Sequence, residues 1–413
     1  MPRLHRPRGR AHWRSRRADR YGTQARPVRD ARPPALRLTR APVAAELSWP
    51  QVHAFRLRRH HLGMRAPKRD LARVVGEIGG AQAQLMSAAE LQVAVRVQCT
   101  VSDVRKALWT DRTLVKTWLM RGTLHLARAK DLPTYTAAMS RRWIRPNNAW
   151  LKFFNVTEQE LWKLTEDIGA ALDGQPLTRE ELIAAVGEGK SPRLHEALRS
   201  GWGGMLKPSA RNGRLCFGPN RGQSVTFVSP QSWLKVWKAV DPETAIVEAA
   251  RRYLRVFGPA TKTDFARWWG AWPGVANAAW AGLAGELVQV SVEAQHLDAL
   301  EVDVAAMRGA SFDERVQLLP LFDPYLLGHA TRDHLFDRVH APKVSRTAGW
   351  ISAVVLVGGS VAGTWTHTLA GKRLHIAVTP FQPLPARVKS AIRLRAGELA
   401  EALDASSAEV TVA

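Results

Sequence analysis

The sequence predicts an α+β fold in which one helical unit recurs three times and gives way to a β-rich C-terminal part. Three observations predict it. Between residues 47 and 283, apolar helical stretches follow polar or acidic helix starts in a repeating order. Each group of helices ends in short runs rich in β-branched residues, and from residue 316 onward such runs dominate. The chain has 413 residues, enough for two to four domains and a sizeable core without disulfide or metal staples.

Residues 1–45 hold 13 arginines against Asp19 and Asp30 and show almost no aliphatic periodicity. Such a stretch cannot bury enough surface to fold and is expected to be a disordered Arg-rich tail. It is either a non-specific tether to nucleic acid or sequence ahead of the true start, with an organellar transit segment as a third possibility. The first unit is expected over 46–150. Ser102 and Asp103 open a helix over 104–108, residues 113–120 read as the helix that follows, and 122–127 as a strand.

The second unit, 151–240, carries an amphipathic helix over 158–172, a capping box at Thr178 with Glu181, and a third helix over 194–199. Residues 205–210 and 215–217 then read as strands of a hairpin turning at Asn212-Gly213, because both central residues of such a turn take positive φ. This is a helix-turn-helix with a wing. In the third unit, 241–295, a helix reaches Phe257, Thr263 caps a helix over 264–269, and a helix over 274–283 precedes a strand at 286–292. Trp268, Trp269, Trp272 and Trp280 fall at helical spacing and are assigned to core packing rather than to stacking on bases.

Residues 296–413 form the β-rich part, with strands at 316–319, 353–358, 360–366, 373–378 and 409–412 and a helix over 386–403. Gly358-Gly359 turns a hairpin. The whole is predicted to be three tandem winged-helix units followed by a small C-terminal β-barrel-like domain.

The formal net charge is +24 and the pI about 11.0. The tail carries +11 of this, which leaves +13 on the rest of the chain. A basic body without a long basic amphipathic helix points to a polyanion and not to a membrane surface. No apolar run is long enough to span a bilayer, and no signal core opens the chain, so a cytoplasmic, nucleoid-associated monomer is expected. Cys99 and Cys216 stand far apart without a further ligand at metal-like spacing, which argues against a disulfide framework or a zinc knuckle.

In Gly79-Gly80-Ala81-Gln82-Ala83-Gln84-Leu85 two amides follow a glycine pair, and on an extended segment Gln82 and Gln84 point to one face. By themselves two such glutamines are most often capping or solvent-facing residues. The stretches LSWPQVHAFRLRRHHL (47–62), GGAQAQLMSAAELQVAVR (79–96), DVRKALWTDRTLVKTWLMRGTLHLA (103–127), LFDPYLLGHATRD (321–333) and GGSVAGTW (358–365) resemble the AlkZ-like, winged-helix family of bacterial DNA glycosylases. The resemblance covers almost everything after Leu47. It implies tandem winged helices with a C-terminal β-barrel around a concave DNA-binding surface. It also implies a catalytic Gln-x-Gln motif at Gln82 and Gln84, with Ala83 where the family usually has a larger aliphatic residue. The implied activity is excision of N-alkylated purines from double-stranded DNA, in some members including unhooking of interstrand crosslinks.

Amides suit that chemistry. An N7-alkylated purine already carries positive charge, so its departure needs no general acid. The protein has mainly to hold a water near C1′ and stabilise a cationic sugar, and this requires no metal or organic cofactor. The alternative class is a non-catalytic winged-helix DNA-binding or regulatory protein using the same basic surface.

Further candidates contact DNA. Arg121, Thr123 and His125 of the RGTLH segment line the lesion site or grip phosphate, unless the segment merely starts a wing strand. Arg112 and Lys116, one helical turn apart, face one phosphate strand. Arg211 and Arg214 flank the Asn212-Gly213 turn and reach a minor groove, with Lys207 and Arg221 close by. Arg338 and His340 lie in a basic loop whose His and Asp spacing fits no zinc pattern. Asp323, before Pro324, is a turn residue.

Overall fold

The computed structural model describes residues 43–140, 142–189, 191–311 and 314–413, and from Pro42 on these belong to one compact unit. Of the expected tail only residues 43–45 are described; the remainder lies outside the described residues. Ala45 already stands in strand β1 (Ala45–Leu47), after which Ser48 caps the helix Trp49–Arg59 in a reciprocal box with Gln51.

One element order then occurs three times. In the first unit the helix Leu71–Glu77 leads to β2 (Ala81–Gln82), the helices Met86–Ala94 and Val101–Trp109, and the hairpin β3 (Leu114–Trp118) and β4 (Leu124–Arg128). In the second, the helix Glu158–Ala171 leads to β5 (Leu177–Thr178), helices Arg179–Val186, Pro192–Arg199 and Lys207–Arg211, and the hairpin β6 (Cys216–Arg221) and β7 (Ser224–Val228). In both sheets the short strand pairs with the second hairpin strand, giving orders β2-β4-β3 and β5-β7-β6.

The third unit has helices Pro242–Phe257, Lys262–Trp269 and Pro273–Gly282 and the hairpin β8 (Leu287–Val292) and β9 (Gln295–Leu300). A lone bridge from Ala260 to Asp298 on β9 stands where the short strand stands in the other two. The far edge of β8 is covered in parallel register by β1, Ala45 opposite Val290.

The C-terminal part is a five-stranded sheet in the order β10 (Val316–Leu319), β11 (Val354–Val357), β12 (Ser360–Ala370), β13 (Arg373–Pro380) and β14 (Ser407–Val412). The helix Ala386–Ala402 packs against both edge strands, β10 and β14, so the sheet curls around it as an open sheet instead of closing strand to strand. Gly358 and Gly359 form the two-residue turn between β11 and β12, both with positive φ, as expected.

Several expectations are corrected. Residues 113–120 are not a helix: 114–118 form β3, with Leu114, Val115, Thr117 and Trp118 buried. A strand covered on both faces shows no period-2 alternation, so its apolar run resembles a buried helix. Asn212-Gly213 does not turn a hairpin. It ends the short helix Lys207–Arg211, Gly213 taking φ +68° and Arg214 N donating to Ser209 O, and the β6–β7 hairpin turns at Gly222 instead. A helix end and a tight hairpin both call for a left-handed residue, and the local sequence does not separate them. The helix starts at 102 and 263 are also displaced, because Thr100 with Asp103 and Thr261 with Asp264 form the capping boxes. Trp268, Trp269 and Trp280 are core residues as expected, whereas Trp272 is 63% exposed.

Candidate active site

The glycine pair sets up the site. Gly79 and Gly80 have φ of +77° and +91°, and their amides close onto Gly76 O and Val75 O, ending the helix Leu71–Glu77 and swinging the chain into β2. There Gln82 pairs with His125, and Ala83 N continues the ladder to Leu124 O. Ala81 and Ala83 point into the core of the first unit, so Gln82 and Gln84 share the opposite face. Gln82 is buried at 7% exposure and Gln84 is exposed.

Gln82 is held at both ends. Arg121, in a left-handed conformation (φ +56°) at the β3–β4 turn, donates to Gln82 Oε1 at 3.0 Å and to Trp268 O at 2.7 Å. A guanidinium only donates, so this contact fixes which end of the amide faces it. The fully buried Gln92 donates from Nε2 to the main-chain oxygen of Gln82 at 3.2 Å and to Leu321 O at 2.8 Å. Gln84 is freer; its Oε1 stands 3.5 Å from Leu124 N.

His125 is buried at 3% exposure and bonds through Nδ1 to Thr123 O at 2.9 Å, so Nδ1 carries the proton. Burial, with the adjacent Arg121 charge, lowers its pKa to about 3. It is therefore neutral and a weak base at neutral pH. Burial and the Arg332 charge bring Arg121 from 12.5 to about 10, still protonated. Thr123 Oγ1 donates to Met120 O at 3.0 Å and stabilises the turn. Among the described residues, no carboxylate bonds to Gln82, Gln84, Arg121 or His125, and no group of three or more His, Cys, Asp or Glu could hold a metal ion. The chemistry on offer is that of two amides and a guanidinium.

A second layer ties this site to the C-terminal part. Arg96, one turn after Gln92, makes a bidentate pair with Asp323 at 2.8 and 2.7 Å, both side chains fully buried, and also donates to His60 O and Gln92 O. Asp323 is a turn residue as expected, accepting from Tyr325 N, and a buried counter-charge besides. Composition and periodicity single out none of Gln92, Arg96 and Leu321. Their signal is that they lie inside two long stretches shared with the family.

The other DNA-binding candidates scatter. Arg112 and Lys116 are not one turn apart on a helix: Arg112 sits in the turn before β3 with its guanidinium 3.6 Å over the Trp233 ring, and Lys116 lies on β3 with its ammonium 5.2 Å from the Phe217 ring. Arg211 packs against the Gly122 turn, and Arg214 pairs with Glu166 at 2.6 Å, so neither flanks a hairpin tip. Arg338 is exposed and paired with Asp333 at 2.5 Å, and His340 stacks on Phe381 at 3.9 Å. Only Arg121, Thr123 and His125 gather at the two glutamines.

Comparison with known proteins identifies the family. The family profile described as DNA glycosylase AlkZ-like matches residues 75–403. The chain is 36% identical over 376 residues to the interstrand DNA cross-link repair glycosylase of Streptomyces sahachiroi, covering 88% of this chain and 99% of that protein. The solved structure of the Streptomyces sahachiroi DNA glycosylase AlkZ superposes with a TM-score of 0.80 at 35% identity, covering 89% of this chain and 100% of that one. These matches place the chain in the AlkZ-like DNA glycosylase family.

Proposed function

We propose that this protein hydrolyses the N-glycosidic bond of N-alkylated, cationic purines in double-stranded DNA, with water held by Gln82 and Gln84. The observation that carries the proposal is the pairing of two amides on one strand face with an absence of carboxylate contacts among the described residues. Such a site supplies neither a strong acid nor a strong base, and an N7-alkylated purine needs neither. As the C1′–N9 bond breaks, its electron pair neutralises the purine ring. Positive charge moves to the sugar, where the carbonyl dipoles of Gln82 and Gln84 face it. Water oxygen bonds to C1′, its proton passes to solvent, and the products are free base and an abasic sugar. Because Arg121 occupies one lone pair of Gln82 Oε1, Gln84 is the less committed acceptor for the water.

An amide cannot form a Schiff base, so the reaction is monofunctional, stopping at the abasic site. The name of the Streptomyces relative extends the substrate range to interstrand crosslinks, and the exposure of Gln84 leaves room for bulky adducts. The three recurring units are winged helices lying along the duplex, a reading supported by the strand order that the first two share and by the Ala260–Asp298 bridge at the matching place in the third. The test is release of 7-methylguanine and of a bulkier N7-alkylguanine from defined duplexes at equal occupancy. The native protein releases base and Gln82→Ala/Gln84→Ala does not. Equal release by both variants removes the glutamines from the mechanism.

A further inference from the structure

Most of the arginines singled out as DNA-binding candidates have a partner in the protein. Arg121 has Gln82 and Trp268 O, Arg214 has Glu166, and Arg112 has Trp233 O and its ring. Arg211 is the exception. It ends the helix Lys207–Arg211, and its Nη2 lies 2.9 Å from where a Cβ on Gly122 would stand; Lys207 Cδ, on the preceding turn, lies 3.7 Å from the same point. The Arg211 side chain is mostly buried and its Nε is enclosed without an acceptor. Among the described residues no carboxylate or carbonyl bonds to any of its nitrogens. Burial lowers the pKa of Arg211, and burial together with Arg211 lowers that of Lys207. Holding an unpaired guanidinium in such a place is unfavourable, and an incoming anion offsets that penalty.

Gly122 matters here because its φ of +67° and its lack of a side chain leave the space that Arg211 fills. Gly122 is also the residue after Arg121, which grips Gln82. Arg121, Lys207 and Arg211 together put positive charge next to a reaction whose transition state is itself cationic. A phosphodiester bound between them would neutralise the cluster and pin the neighbouring sugar.

We propose that Arg211 and Lys207, packed on the Gly122 turn, form a subsite for the DNA backbone phosphate adjoining the nucleotide that faces Gln82 and Gln84. The proposal rests on the reading that the two glutamines face the damaged nucleotide. Its test uses binding alone, so the two can fail separately. A duplex with one tetrahydrofuran abasic site is prepared with single methylphosphonates at each backbone position in turn, and binding is measured for the full chain. For the native protein, a neutral linkage at one or two positions within two nucleotides of the abasic site weakens binding about tenfold. Arg211→Met binds the all-phosphate duplex correspondingly weakly, and the same neutral linkage has no further effect on it. Its log Kd against log salt is shallower by about one phosphate contact. Arg211→Lys recovers part of the affinity. Because the guanidinium is unpaired in the free protein, Arg211→Met does not lower the melting temperature, which a structural role for Arg211 requires. The proposal is overturned if no flanking methylphosphonate weakens native binding, if the effect persists undiminished in Arg211→Met, or if the coupled phosphate lies well away from the abasic site. Should Gln82→Ala/Gln84→Ala still excise base while the coupling stands, the catalytic reading falls and the phosphate site remains.

Discussion

Replacing Arg121 with methionine separates the positioning of Gln82 from the stability of the fold. Arg121 makes two charge-assisted hydrogen bonds, at 3.0 Å to Gln82 Oε1 and at 2.7 Å to Trp268 O. Each contributes about 1.5–3 kcal/mol. Against this stands the burial of the guanidinium, whose pKa falls from 12.5 to about 10, a penalty of about 3 kcal/mol. The opposing contributions leave a net loss of about 0–3 kcal/mol in Arg121→Met, small for a compact unit of this size. The effect on Gln82 is larger. Without its anchor the side chain gains rotamer freedom, and misplacement by about 1 Å costs on the order of 100-fold in rate. Single-turnover release of 7-methylguanine at saturating protein, read beside a thermal melt and a Kd for abasic DNA, shows whether the rate falls about 100-fold while binding and melting temperature hardly move. Arg121→Lys, which keeps the charge but only one of the two bonds, falls between. A native rate in Arg121→Met, with Gln82→Ala inactive in the same assay, would refute the view that this guanidinium sets the position of Gln82.

Acid should unfold the protein well above the carboxylate range. Burial, aided by nearby guanidinium groups, lowers the pKa values of His53 to about 4, His125 to about 3 and those of His60 and His329 well below 6.5. The folded protein keeps all four neutral while the unfolded chain protonates them near pH 6.5, so stability is complete above that pH and lost as it falls. At pH 5 each imidazole costs about 2 kcal/mol, and four together rival the whole stability of a typical domain. A melting temperature that is flat from pH 7 to 5 would contradict their neutral burial. Asp323→Asn strands the buried Arg96 charge and should cost about 3–5 kcal/mol, whereas the paired change Arg96→Met with Asp323→Leu should cost clearly less; equal losses in calorimetry would argue against a coupled pair.

Much of the helical framework could be read from local chemistry. Helix Pro242–Phe257, strand Val316–Leu319, the Thr178–Glu181 box and the Gly358-Gly359 turn stand where capping, β-branching and turn geometry put them. The shared face of Gln82 and Gln84 followed from strand alternation, and the RGTLH segment proved to be their neighbour because His125 pairs with Gln82 in the sheet. What stayed hidden is non-local. Gln92 reaches Leu321 and Arg96 reaches Asp323 across more than 200 residues, and no window of sequence reports such a contact. The β3 strand resembles a helix in sequence because it is buried on both faces, which erases the alternation and gives Arg112 and Lys116 a false helical spacing. Asn212-Gly213 misled for a different reason, since two structures share one backbone requirement.

The parallel pairing of β1 with β8 has a bearing on biogenesis. Ala45–Leu47 leaves the ribosome about 245 residues before Val290–Val292, its partner. Until then this apolar segment has no ladder to join, and after β8 and β9 have formed their hairpin, β8 presents a bare edge of the kind that recruits strands from other chains. Ala45–Leu47 thus acts as a late closing seam. A shortened protein beginning at Ser48 would keep both glutamines and their anchors yet expose that edge, and its failure would appear as self-association and not as loss of chemistry.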